Sequence, residues 1–332
     1  MTAPRRTGVP PQPLEQARVS ARSPAVAPVV SLADEARVAR TERLRSLRRS
    51  GTFVAGAGLV GFWVLCACFG ELIATQDPLA TDPLNDLAAP SGAHWFGTDV
   101  LGRDVFSRVM TGGREMLIVA PLATLLATAV GTTLGLVSGY FRGVVDEILG
   151  RIIEAFLALP VVIFAALVLV ALGGSRLTII LAVGTSLSPI VARTVRAAVI
   201  TEREQEYIDA ARVRGENAAY IMSREILPNV LGVVVVEFTV RFAYATFAIA
   251  NLSFIGVGVQ PPAPDWGRQV LEHYFLLGSG FLGGWAVLFP ALGIVSLVVG
   301  VSLVADGVTA VLEHDGGPRA QSPTAATLRV RL

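Results

Sequence analysis

The sequence predicts an all-α polytopic membrane protein with six transmembrane helices. Three observations predict it. The 332 residues are 53% hydrophobic and only 16% charged, and the mean hydropathy is positive, a balance that belongs to membrane chains. The apolar residues gather into six runs, each long enough to cross a bilayer core, which takes about 20 helical residues. The arginines are sorted between the segments that join those runs, as a defined topology requires. No lysine occurs, so all 27 basic side chains are arginine, which reads as genome bias rather than function. A formal net charge of +1 gives no ground for a nucleic-acid partner.

Residues 1 to about 33 are rich in Pro, Ala, Ser and Arg and lack periodicity, so disorder is expected. Asp34 to Arg49 reads either as a basic amphipathic helix on the inner membrane surface or as a solvated arm that only sets topology. Together these make an N-terminal arm over 1–50. The first span is Thr52 to Ala74. It lies too far into the chain and is too long for a cleavable signal peptide. Cys66 and Cys68 fall within it. Two positions apart on a helix, they face different ways and cannot readily bridge, so both read as packing residues.

A polar segment, Thr75 to Arg114, follows. Span two is Glu115 to Ser138, span three Glu154 to Leu172 after a loop Gly139 to Ile153, and span four Leu177 to Ile200. Span five is Val230 to Ile249, and span six is Trp285 to Ala305 after a long loop, Asn251 to Gly284. The six-span domain so outlined covers 51–312, with a tail over 313–332. With the N-terminus inside, the inner segments hold 21 arginines and the outer segments five. The excess of inner arginine places both termini in the cytoplasm and the chain in the cell (inner) membrane, in contact with lipid.

Between spans four and five lies a polar stretch, Glu206 to Asn229. Glu204 to Arg214 reads as a short helix with Ala210 and Ala211 on one side and charges on the other. Gly215 breaks it by permitting a left-handed backbone. Asn217 to Leu227 reads as a second short helix that Pro228 stops. A helix–Gly–helix–Pro hairpin of this size is a compact plug for a socket on another protein. The plain alternative is an ordinary amphipathic loop.

The chain lacks a phosphate-cradling GxxxxGK[ST] loop, an HExxH and a GxSxG. It is therefore not expected to be an enzyme, to hydrolyse ATP, or to bind a cofactor or a metal. His94, His273 and His314 fall outside the expected spans. The deep ionisable residues are Glu237 and Arg241, four apart on span five, in the favourable Glu-to-Arg order on one helix face. They read either as a structural ion pair or as candidate pathway residues that meet the charged ends of a cargo. Gly131, Gly135 and Gly139 form a smooth face, favouring packing inside the chain over contact with a partner helix. His94 to Arg108 reads as an outer cap on the bundle, or as the contact for an external protein. Pro261 to Trp266 reads as a rigid outer turn, with Trp266 an anchor at the membrane interface.

Asp209-Ala210-Ala211, Gly215 and Leu227-Pro228 resemble the EAA loop of ABC-importer permeases. The runs HWFGTDVLGRDVFSRV (from His94), GYFRGVVDEILGRIIEAFLALP (139–160) and LSFIGVGVQPPAPDWG (252–267) resemble the dipeptide, oligopeptide and nickel branch of that family, specifically its second, C-type permease. The resemblance covers about residues 53–312. It implies the type I importer permease fold and half of a translocation pathway for short peptides. Nickel chelates, opines or glutathione are the alternative cargoes. It further implies a homologous second permease subunit, two ATPase subunits that carry ATP and Mg, and an extracytoplasmic solute-binding protein. In the loop, Ala210, Ala211 and Gly215 would allow close contact with the ATPase socket, Asp209 would cap or salt-bridge there, and Arg212 and Arg214 would make ionic contacts. The chain departs from the family pattern at Asp209 (usually Glu), at Glu225 (usually aliphatic), at Ile249 (often Glu) and after Asp306-Gly307. Two other classes compete: an ion-gradient-driven secondary transporter, against which the missing titratable network argues, and a non-transporting scaffold or sensor.

Overall fold

Several of the helices start on a single polar side chain, because the first N–H groups of a helix have no partner in the helix itself. The computed structural model describes residues 45–278 and 283–315. The expected disorder of 1–33 and the tail beyond Asp315 lie outside the described residues. Of the Asp34–Arg49 segment, only 45–49 are described, and they are helical.

Helix α1, Gly51–Ile73, is capped by Ser50, whose hydroxyl accepts the N–H of Phe53. Trp63 and Cys66 are buried, and Cys68 is exposed. The Cys66 thiol packs 3.8 Å from the Met110 sulfur, so the two cysteines do face apart.

Helix α2, Val105–Phe141, begins ten residues before the expected Glu115. Asp104 starts it: its carboxylate accepts both the N–H and the hydroxyl of Ser107, at 2.8 and 2.6 Å. The first turns look polar to a hydropathy window but are buried. Helix α3 spans Gly143–Leu157 and helix α4 spans Val161–Leu172, with an 84° bend between them. This corrects two expectations. The loop Gly139 to Ile153 is mostly helix, and span three is broken rather than straight. Pro160 has no N–H and disfavours helix at the residue before it. Among the described residues five helices are long and apolar enough to cross a membrane, or six when the bent pair counts as one.

Helix α5, Arg176–Glu202, packs along α2 over most of its length. The glycine stripe makes this possible. A Cβ on Gly131 would lie 2.6 Å from the Ser188 carbonyl oxygen, one on Gly135 2.8 Å from that of Ala192, and one on Gly139 2.8 Å from the Val199 side chain. Gly184 returns the approach from α5, where a Cβ would lie 2.9 Å from the Ala123 carbonyl. The stripe packs within the chain.

Helix α6 is Glu206–Val213. After the Gly215 turn come a helical turn, Ala218–Tyr220, and a widened π-helical segment, Ile221–Ile226. That segment runs straight into α7, Leu227–Phe254. Pro228 therefore does not stop the helix, as the sequence suggested. The N–H of Leu227 reaches back to the Met222 carbonyl, five residues earlier. This wider register draws the backbone away from the proline ring, which would clash with the carbonyl four residues back in an α-helix.

The expected loop from Asn251 to Gly284 holds the end of α7 and also helix α8, Trp266–His273. Asp265 caps α8 by accepting the N–H of Arg268 at 2.9 Å. Helix α9, Trp285–Asp315, follows and carries His314 within its backbone. Trp266 is not a membrane-interface anchor. It is fully buried, donates its indole N–H to the Val109 carbonyl at 2.8 Å and meets Trp63 edge-on at 4.5 Å. Gly112, Gly113 and Gly293 make room for its ring, which would lie within 2.7–3.1 Å of a Cβ at each.

Candidate functional site: the hairpin between α5 and α7

The hairpin is held to the bundle by its apolar side. Ile208 and Ala211 on α6 are fully buried against Val195 and Val199 of α5 and Ile221, Ile226 and Val230 beyond the turn. Ala211 is thus a base residue of the hairpin. The expected direct contact between Ala211 and a partner is corrected: the side chain is spent inside the chain. Leu227 is half-buried against the same cluster. Tyr207 ties both ends down, bonding through its hydroxyl to the Glu202 carboxylate and to Asn229 Nδ2. Burial, reinforced by Glu202, pushes its phenol up to about 12.

The turn closes as a two-bond C-terminal motif. The N–H of Gly215 donates to the Arg212 carbonyl and that of Glu216 to the Ala211 carbonyl. Gly215 has φ +79°, so only glycine sits there without backbone strain. Space around it is open, with no heavy atom within 4 Å of a built Cβ. The outer side of α6 presents Asp209, Ala210, Arg212 and Val213. Asp209 and Arg212 pair at 2.8 Å, and the Arg212 guanidinium lies over the Tyr140 ring at 5.8 Å. Arg214 bridges Glu216 at 2.8 Å and Glu225 at 3.4 Å. The unusual Glu225 thus clamps the two arms of the hairpin. Pro228 is exposed at its base. Val213 was missed by sequence reasoning, although an apolar residue between two arginines was the available signal. It is 89% exposed at the tip of α6.

Glu237 and Arg241 are brought together as expected, at 2.9 Å with both side chains largely buried. Arg241 also lies over the Tyr244 ring at 5.3 Å. The two charges are answered within the chain, which favours the structural reading. Two further pairs were not foreseen. Arg176 forks onto Glu115, joining α5 to α2, and Arg196 forks onto Asp146 at 2.6 Å through each nitrogen, joining α5 to α3.

At the opposite end of the bundle, His94 to Arg108 forms a cap. His94 meets Asp104 at 3.0 Å. Arg103 bridges Asp99 at 2.6 Å and Glu272 of α8 at 2.9 Å. Burial raises the Glu272 carboxyl, but the Arg103 hydrogen bond and the charges of Arg103 and Arg108 outweigh it and leave it below its ordinary value. His273 is held down by burial, and burial pushes Asp265 up to about 6.

Residues 131–315 match the family described as the inner membrane component of binding-protein-dependent transport systems. This chain belongs to that family of permeases. Residues 41–90 match the N-terminal transmembrane domain of oligopeptide transport permease C, which marks the C-type subunit of the dipeptide and oligopeptide branch. The match reaches back to residue 41, before the point where the resemblance was expected to begin. The permease is 35% identical over 272 residues to a dipeptide transport system permease of Alkalihalophilus pseudofirmus, covering 82% of this chain and 88% of the relative. It is 34% identical to a putative peptide transport system permease of Brucella suis, over 81% of this chain and 90% of that one. It is 35% identical to a glutathione transport system permease of Escherichia coli, over 84% and 92%. Among solved structures, an inward-facing form of the MetNI methionine ABC transporter shares the fold, with a TM-score of 0.50, 18% identity and coverage of 62% of the permease and 96% of that chain. The permease is a multi-pass inner-membrane protein that works with other ABC components.

Proposed function

We propose that this permease forms half of the translocation pathway of an ATP-driven importer of short peptides, and that the α6 hairpin couples it to an ATPase subunit. The single observation that carries the reading is a polar, Gly-turned hairpin with an exposed tip, anchored by an apolar base to α5 and α7 in a chain of this family. The importer would hold a homologous second permease, two ATPase subunits and an extracytoplasmic solute-binding protein. ATP and Mg would be bound by the ATPase subunits. On this reading the hairpin and both termini lie in the cytoplasm, which the excess of arginine in the segments on that side supports.

The mechanism follows from where the hairpin is fastened. Ile208 and Ala211 pack on α5, and the second arm is continuous with α7. A displacement of α6 is therefore passed to two spans as a unit. Closure of an ATPase dimer around ATP would move its two sockets, and each socket would carry one hairpin. The pathway would then favour its outward opening by the difference in contact energy between the two states. Asp209, Ala210, Arg212 and Val213 form the face offered to the socket, Gly215 and Arg214 hold the turn, and Leu227 and Pro228 set the exit angle.

Gly215→Glu tests this. It should abolish uptake of labelled di- and tripeptides by a deletion strain carrying the complete importer, while membrane insertion is retained. Backbone strain at φ +79° and a new charge at the docking face both act on the hairpin alone. Normal uptake would refute the coupling role. Glutathione is the second cargo to assay, because a relative as similar as 35% bears that name.

A further inference from the structure

The hairpin has a third fastening, and it stands on α2. Gly139 lets α2 close on Val199 near the end of α5, so the next residue, Tyr140, lies where α5 gives way to α6. Leu136 and Tyr140, one turn apart, pack against the apolar base of the hairpin, which includes Ile208 and Ala211. Two guanidinium groups converge on the Tyr140 ring. That of Arg212 on α6 lies 5.8 Å from the ring centroid. That of Arg203, directly after α5, lies 5.9 Å from it. Both fall within the roughly 6 Å over which an aromatic face attracts a cation.

The two arginines differ in what else holds them. Arg212 also pairs with Asp209. Arg203 forms no ion pair and no side-chain hydrogen bond among the described residues, and its Nη1 is buried without a hydrogen-bond partner. A buried donor left unpaired is costly, and the ring face is what offsets that cost here. The Tyr140 hydroxyl makes no hydrogen bond among the described residues, so the ring rather than the hydroxyl is the group in use. Arg142, just past α2, meets Glu204 at 3.5 Å, but both side chains are exposed and such a pair adds little.

Helix α2 is one helix of 37 residues, about 55 Å long at 1.5 Å per residue. Its other end starts at Asp104 in the charged cap. There it is held to α8 by the bonds of Trp266 to the Val109 carbonyl and of Gln269 to the Arg108 carbonyl, at 2.8 and 3.2 Å.

We infer that Tyr140 is a positioning residue for coupling: its ring clamps the corner between α5 and α6 to α2 through Arg203 and Arg212, which makes α2 a third span driven by the hairpin. Apolar burial alone is non-directional, whereas two cations on one ring give the contact a direction. The inference rests on the proposed function and adds to it a residue outside the hairpin.

The complete importer, with its ATPase subunits and binding protein, is reconstituted in vesicles, and the labelled trialanine taken up is measured per ATP hydrolysed. Glutathione replaces trialanine if the unmodified importer takes up only that. Tyr140→Leu should lower the ratio about fivefold or more, as the loss of two ring contacts implies. Tyr140→Phe keeps the ring and should keep the ratio. Arg203→Gln touches no part of the face offered to the socket and should lower the ratio by about two- to fivefold. Combined with Tyr140→Leu it should lower it no further, because partners in one contact are not additive. Tm of each variant is read in nanodiscs. A ratio unchanged in Tyr140→Leu overturns the proposal, and a fall in Tm with that unchanged ratio assigns the residue to packing alone. Tyr140→Phe as poor as Tyr140→Leu places the effect on the hydroxyl and overturns it, as do losses from Tyr140→Leu and Arg203→Gln that multiply. Should Tyr140→Leu fail to assemble, Arg203→Gln carries the test, and an unchanged ratio there overturns the clamp. An unmodified importer that takes up neither compound refutes the function on which the inference rests. Uptake by the unmodified importer with Tyr140→Leu unaffected refutes only the clamp.

Discussion

At the scale of single residues, the permease spends its ionisable groups on ties between helices. Arg176 with Glu115 and Arg196 with Asp146 each fasten α5 to a neighbour, and Glu237 with Arg241 closes a pair on α7. A buried pair adds little net stability over apolar residues, but breaking it is expensive because one charge is left uncompensated. Glu237→Gln should therefore lower unfolding stability by about 3 kcal/mol, read as a drop in Tm of the permease in nanodiscs. The double change Glu237→Leu with Arg241→Leu should recover most of that loss and keep uptake. Recovered stability with lost uptake would instead return the pair to the pathway. Glu237 and Arg241 were legible because their spacing is local. Arg176 with Glu115 was not, since 61 residues separate the partners and no local pattern joins them.

At the scale of elements, long apolar helices were legible and their ends were not. Hydropathy averages over a window, so the buried polar first turns of α2 read as loop, and the amphipathic α3 did so as well. The caps were visible one residue at a time: Asp104 before α2, Ser175 before α5 and Asp265 before α8 each accept an N–H three residues on. Pro228 misled because a stop and a π-helical entry share the same residue. The glycine stripe was read correctly, since small residues every four positions leave a smooth face whatever packs on it. That stripe carries a prediction. Gly135→Leu should destabilise the α2–α5 contact by about 1–3 kcal/mol or more through overpacking, because its Cβ would already lie 2.8 Å from a backbone oxygen. Gly232→Leu on α7, where a Cβ meets nothing within 4 Å, should change Tm far less. Limited proteolysis and thermal unfolding of the two variants check the contrast.

At the scale of the whole molecule, the bundle has a charged cap at one end and the hairpin at the other. The spread of arginine predicts an orientation, and the hairpin tip offers a test of it. Val213→Cys, with Cys68 replaced by Ser, should react with an impermeant thiol reagent in inverted vesicles and not in intact cells. Addition of the purified ATPase subunits should then protect it. Labelling from the outside would reverse the topology, and absence of protection would move the docking face away from α6.

Composition and order along the chain by themselves determined the membrane class, the apolar helices, the uneven spread of arginine between the connecting segments and the polar hairpin. Each of these is a one-dimensional property, readable from neighbours in sequence. Tertiary structure alone decided which side chains were spent internally. Ala211 became the base of the hairpin rather than its face, and Trp266 became core because Gly112, Gly113 and Gly293 on two other helices make room for its ring. Burial and pairing depend on what distant segments bring to the same place, and no local pattern of residues encodes that.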